Sequence, residues 1–137
     1  MNGKESGNNM PDKLLIDTDV LIDYLKEREE AVHFLESQQI SMFISVISVG
    51  ELYAGVKDGK ERHILDDFIE YFQVAPLNLE IAVKGGLFRR NFGKSHGVGL
   101  ADAMIAATAE SENATVVTLN QKHFPMMSNV LIPYRKK

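Results

Sequence analysis

Two aspartates flank a threonine in Asp17-Thr18-Asp19, directly after the apolar run Leu14-Leu15-Ile16. Thr and Asp both cap helices, but capping needs one residue and leaves the second acid unexplained. Glu51 is the only charged residue between Phe43 and Val56, and its helical neighbours Ile47, Ser48, Ala54 and Gly55 make a small, apolar face. A carboxylate buried on such a face costs several kcal/mol or protonates, so something should compensate it; the bland alternative is a glutamate at the rim of a core face. Asp102 opens the very apolar stretch Ala101–Glu110, where favourable placement in a first helical turn accounts for it if taken alone. Thr118 and Asn120 flank the end of the β-branched run Thr115–Leu119, and turn chemistry alone accommodates them. Together these residues ask for another account. Carboxylates gathered at strand ends and first helical turns repel, and the usual remedy is a hard divalent cation such as Mg²⁺ held by oxygen ligands. Such a site generates hydroxide and stabilises phosphoryl charge, which is nuclease chemistry.

A second group is basic. Lys84, Arg89, Arg90 and Lys94 lie between Lys84 and His96 with no acid among them. They read as a solvated helix face or as a strip that tracks a phosphate backbone beside the approach to Asp102. Gly93-Lys94-Ser95 resembles the end of a P-loop, but the required earlier glycine is replaced by Phe88. Gly97-Val98-Gly99 lacks its third glycine, since Asp102 stands there. The four histidines are scattered and show no partner in sequence.

Positioning these groups requires strands that alternate with helices. Leu14–Ile16, Met42–Ile44, Gln73–Ala75, Thr115–Leu119 and Val130–Ile132 read as short strands. Helical spacing joins Ala31, Phe34 and Leu35; Ile64, Leu65, Phe68, Ile69 and Phe72; and Leu79, Ala82, Val83, Gly86, Leu87 and Arg90. Ile47–Val56 reads as a helix closed by Gly55 or Gly59, and the chain from Val20 as another helix start. Strands separated by helices of crossover length pair in parallel. The expectation is an α/β, three-layer domain with a central sheet of about five strands flanked by helices. In such sheets, sites form outside the carboxyl ends of the strands, where Asp17 falls. Strand order is not readable from periodicity.

Length and composition set the outer bounds. The 137 residues suit one domain, and 45% hydrophobic with 25% charged residues is ordinary for a folded chain. Residues 1–12 are polar and aperiodic and read as a flexible tail, with Met10 an alternative start; 13–137 form the domain. No run approaches the ~20 apolar residues of a membrane span, and no apolar signal core opens the chain. Zero cysteines exclude disulfides, thiol catalysis and zinc fingers, so the expected location is cytoplasmic. A net charge of -4 argues against general electrostatic coating of nucleic acid, but one basic strip beside a metal-filled acidic site meets the need.

At these residues the chain resembles the PIN-domain ribonucleases, specifically the VapC-type toxins of toxin–antitoxin pairs. The segments that carry the resemblance run from Leu15 to Asp23, Ile44 to Gly55, Gly99 to Ala109 and Val117 to Phe124, in the right order and spacing. The resemblance implies metal-binding acids at Asp17, Glu51 and Asp102, and dependence on Mg²⁺, with Mn²⁺ as a substitute. It also implies a 3-2-1-4-5 parallel sheet, a homodimer, cleavage of RNA and a small VapB-like antitoxin that blocks the site. Two positions depart from the common pattern. A fourth acid is replaced by Asn120, whose amide brings an oxygen but no charge, and Asp19 stands where several members carry Asn. On this reading Asn120 positions a water or the outer metal shell, and Thr18 or Thr118 hydrogen-bonds a carboxylate. Arg89, Arg90 and Lys94 then hold the RNA backbone.

Two rival readings stay open in the sequence. Asp17-Thr18-Asp19-Val20 also fits the D-x-D-x-[TV] signature of haloacid-dehalogenase-like phosphatases, with Asp17 as nucleophile. That reading lacks a later aspartate pair and leaves Glu51 without a role. A non-catalytic PIN-like binding module is the other, prompted by Asn120.

Overall fold

The computed structural model describes residues 12–135. The expected tail and Met10 lie almost wholly outside the described residues. In chain order the elements are β1 (Lys13–Ile16), α1 (Thr18–Leu25), α2 (Glu29–Ser37), β2 (Ser41–Ser45), α3 (Val46–Ala54), α4 (Lys60–Ile69), β3 (Gln73–Ala75), α5 (Leu79–His96), α6 (Leu100–Glu112), β4 (Thr115–Val117) and β5 (Val130–Leu131). A 3₁₀ turn, Gln121–His123, follows β4.

The five strands form one parallel sheet ordered β3-β2-β1-β4-β5, the order the resemblance implies. β1 lies at its centre, with Leu15 opposite Phe43 of β2 on one side and Val116 of β4 on the other. This explains why β1 reads as a continuous apolar run rather than an alternation, because both of its faces are covered. Leu14 and Ile16 pack with Val20, Leu21, Leu35, Leu52, Leu65 and Phe68 on one face. Leu15 faces the other way, onto Ile105, Ala106, Ala109 and Phe124. Side chains two apart share a face, so these two cores are the two sides of a three-layer domain. Full burial of each such Leu or Ile is worth about 1.5–3 kcal/mol.

Boundaries differ from the periodic reading where side chains take over backbone duties. α1 starts at Thr18 rather than Val20, because Asp17 caps it through a bond from Thr18 N. β4 stops at Val117 rather than Leu119. Beyond Thr118 the backbone donors turn to side chains, Leu119 N to Asp19 Oδ2 and Asn120 N to Thr118 Oγ1.

α5 and α6 pack tightly against each other. A Cβ on Gly85 would meet Met104 Sδ at 2.6 Å and Met104 Cα at 3.2 Å, so only glycine allows that approach. Gly97 ends α5 at φ 66°, a left-handed cap that glycine adopts without penalty, and sends the chain into the loop before α6.

Candidate active site

The sheet order reverses direction between β1 and β4, and the crevice outside their carboxyl ends is where open α/β sheets place their sites. Asp17 stands there, immediately after β1, with its backbone N–H bonded to Val117 O at 2.8 Å. Its carboxylate is buried, and both oxygens are engaged. Oδ1 accepts from Thr18 N at 2.8 Å, and Oδ2 accepts the hydroxyl of Thr118 at 2.8 Å. Helix capping therefore falls on Asp17, which leaves Asp19 as the acid that capping does not explain. Asp19 is turned toward the same strand end, its Oδ2 accepting from Leu119 N at 3.1 Å and lying 3.4 Å from the Thr118 hydroxyl.

Burial pushes the Asp17 carboxyl up to about 7, helped by the negative charges of Asp19 and Asp102 and opposed by the hydrogen bonds from Thr118 and Thr18. Asp102 sits in the first turn of α6. Burial raises its pKa as well, with Glu51 adding to the rise and His123 opposing it. Acids 85 residues apart in sequence thus feel one another's charge.

Glu51 joins through Thr18, whose hydroxyl donates to Glu51 Oε1 at 2.6 Å. Thr18 Oγ1 also lies 2.8 Å from Ser48 Oγ; with the threonine proton given to Glu51, Ser48 is the donor in that pair. Ser48 and Glu51 are three apart on α3 and share a face. The expectation of a buried Glu51 is corrected: the residue is exposed, at the rim of the site. Solvent compensates its charge, so its place beside Thr18 and Asp102 links it to the cluster, not a desolvation penalty.

The histidines also need correction, since His123 has an acidic partner. His123 Nδ1 lies 3.1 Å from Asp102 Oδ2 and 3.1 Å from the Asn120 side-chain nitrogen. Asn120 therefore faces His123, three residues further along the 3₁₀ turn. That i, i+3 spacing is the signal the sequence offers. The basic group divides. Lys84 pairs with Glu110 of α6 at 2.7 Å, so it does not belong to a free strip. Arg89, Arg90 and Lys94 are exposed on the carboxyl-terminal half of α5, the helix that leads through Gly97 toward Asp102.

Among the described residues no three acid or imidazole side chains already form a closed ligand set for a metal. The donors nevertheless suit a hard divalent cation. They are carboxylates from separate segments, with Asp17 raised to about 7 first by burial and then by its acidic neighbours, and a cation bound between them offsets both.

The crevice and its acids define an α/β domain with an acidic site at the β1–β4 switch point. Residues 14–127 match the PIN domain family, and the chain belongs to that family. It is 35% identical over 124 residues to ribonuclease VapC10 of Mycobacterium tuberculosis, covering 88% of this chain and 92% of that protein. Ribonuclease VapC1 of Methanocaldococcus jannaschii is 34% identical, over 82% of this chain and 79% of its own length. Among solved structures, a toxin–antitoxin complex from Klebsiella pneumoniae superposes with a TM-score of 0.78 at 28% identity, covering 90% of this chain and 99% of that one. FitAcB from Neisseria gonorrhoeae gives 0.70 at 29% identity, covering 88% and 97%.

Proposed function

We propose that this protein is a divalent-metal-dependent endoribonuclease that hydrolyses RNA phosphodiester bonds and acts as the cytoplasmic toxin of a toxin–antitoxin pair. The observation that carries this reading is the set of carboxylates from three separate segments gathered at the sheet's switch point, with Asp17 pushed up to about 7. The relatives named ribonuclease VapC and the solved toxin–antitoxin complexes support the substrate and the partner.

In this mechanism Asp17, Glu51 and Asp102 would hold Mg²⁺, with Mn²⁺ as a substitute. When bound, the cation neutralises charge on the scissile phosphate and activates the attacking water. Thr118 and Thr18 keep Asp17 and Glu51 fixed through their hydroxyls. Asp19 adds negative charge beside Asp17, and Asn120 acts at the outer edge of the site. Arg89, Arg90 and Lys94 hold the flanking RNA backbone by charge. The phosphatase reading, with Asp17 as nucleophile, leaves Glu51 and its hydrogen bond from Thr18 without a role.

Two surfaces suit protein partners. A groove of ≈ 380 Å³ between α1 and α4, lined by Ile22, Leu25, Leu52, Val56, Ile64 and Leu65, reaches Glu51 and would take an antitoxin segment. Leu79, Val83 and Leu87 form an exposed row along α5, a surface for a homodimer. Cleavage of labelled single-stranded RNA tests the activity. Mg²⁺ or Mn²⁺ should be required, and Asp17→Asn and Asp102→Asn should each abolish cutting with the fold intact. Full-rate cleavage in EDTA by extensively dialysed protein overturns the metal mechanism, and absence of cleavage with every metal favours a binding module.

A further inference from the structure

We infer that His123 is a positioning residue for Asp102, holding one carboxylate oxygen so that the other is presented to the cation. This rests on Asp102 being a metal ligand, as proposed above. His123 closes the 3₁₀ turn after β4, and the next residue, Phe124, is buried in the core beside Ile105 and Ala106 of α6. Phe124 thereby anchors the turn against the helix that carries Asp102. From this anchor the imidazole reaches Asp102 Oδ2 at 3.1 Å, and both side chains are largely shielded, with 27% and 28% of their surface exposed.

The choice of tautomer follows from the acceptors. A carboxylate oxygen can only accept, so the 3.1 Å contact requires the proton on Nδ1. The Asn120 side-chain nitrogen lies 3.1 Å from the same Nδ1, and with that nitrogen's one hydrogen given to Asp102 the amide bonds there only when turned so that its oxygen faces the ring. In that orientation Asn120 and Asp102 share the single Nδ1–H. Outer partners of this kind fix ligand orientation, and losing one typically weakens metal affinity about 10- to 100-fold.

The experiment is Mn²⁺ titration followed by electron paramagnetic resonance, with thermal melts of the same apo proteins. His123→Ala should weaken Mn²⁺ binding about 10- to 100-fold. His123→Asn places an amide N–H where the ring Nδ1–H stood and should restore affinity close to wild type. His123→Gln carries its N–H at the position of Nε2 and should not restore it, although it preserves polarity and fills more of the space. If Ala at position 123 unfolds the turn, the contrast between Asn and Gln variants of equal melting temperature still decides. Equal affinities in the Asn and Gln variants, or wild-type affinity in His123→Ala, overturn the positioning role. Asp102→Asn separates the two levels. Lost binding there with no effect at His123 rejects this inference alone, and unchanged binding in Asp102→Asn rejects the site itself.

Discussion

Thr118 donates its hydroxyl to Asp17 Oδ2 at 2.8 Å across 101 positions of sequence, tying the carboxyl ends of β1 and β4 together. The same hydroxyl oxygen accepts from Asn120 N at 3.0 Å, so one buried group serves an acid and a backbone turn. Thr118→Val keeps the shape and removes both bonds. Leaving buried groups unsatisfied costs about 1–3 kcal/mol, which should appear as a lower denaturation midpoint in urea. Because the lost bond is one that lowers the Asp17 pKa, Mn²⁺ binding in this variant should also need a higher pH.

Asp17 makes the apo protein's stability fall with rising pH. Its folded carboxyl titrates at about 7 against an ordinary 3.8, so between those values the folded state binds the extra proton. Stability is present in full below the lower value and is lost as pH rises through the upper one. Asp17→Asn, which still offers an oxygen to cap α1, should therefore change little at pH 4 and stabilise the metal-free protein by a few kcal/mol at pH 8. Paired urea titrations at the two pH values check this, and an equal difference at both contradicts it.

Mg²⁺ should raise the melting temperature of the native chain by mass action, with a ligand at 100 times its Kd adding about 2.7 kcal/mol. Glu51→Gln should show a smaller Mg²⁺ shift while melting normally without metal, since the residue is exposed. An equal shift in both proteins places Glu51 outside the site.

Asp19 and Asn120 compete for the part of the missing fourth acid. Asp19 already lies close enough to raise the Asp17 pKa, whereas Asn120 faces His123. Asp19→Asn should therefore weaken Mn²⁺ binding measured by calorimetry, and Asn120→Asp should change it less. The opposite order would make Asn120 the position that senses the metal's charge.

Val83→Glu should give a monomer in sedimentation with unchanged circular dichroism, because Val83 is 54% exposed in the middle of the α5 row. A wild-type chain that is monomeric throughout the micromolar range would remove the dimer.

Asp17 is legible in the sequence because a core strand has little use for an acid directly after its buried aliphatics. The strands are legible from the same apolar runs, but their order is not, because periodicity describes a strand's faces and not its neighbours. Glu51 reaches the site for a different reason from the one its neighbours suggest. Those neighbours are apolar, yet spacing cannot separate a core position from a rim one residue's rotation away. His123 is hidden in the sequence because its acidic partner lies on α6, and its spacing from Asn120 says nothing of that contact. Lys84 looks free in the sequence because its pairing with Glu110 exists only once α5 and α6 lie side by side.

The central position of β1, between β2 and β4, bears on how the protein is made. Asp17 is synthesised early, but the strand that leads into Thr118 and covers the open side of β1 is synthesised late. Domains fold as units while the chain emerges from the ribosome. Until the segment beyond Asn120 is free, β1 lacks its β4 neighbour and Asp17 lacks the Thr118 hydroxyl. The tie between the carboxyl ends of β1 and β4 is therefore made only at the end of synthesis, when the two halves of the sheet meet.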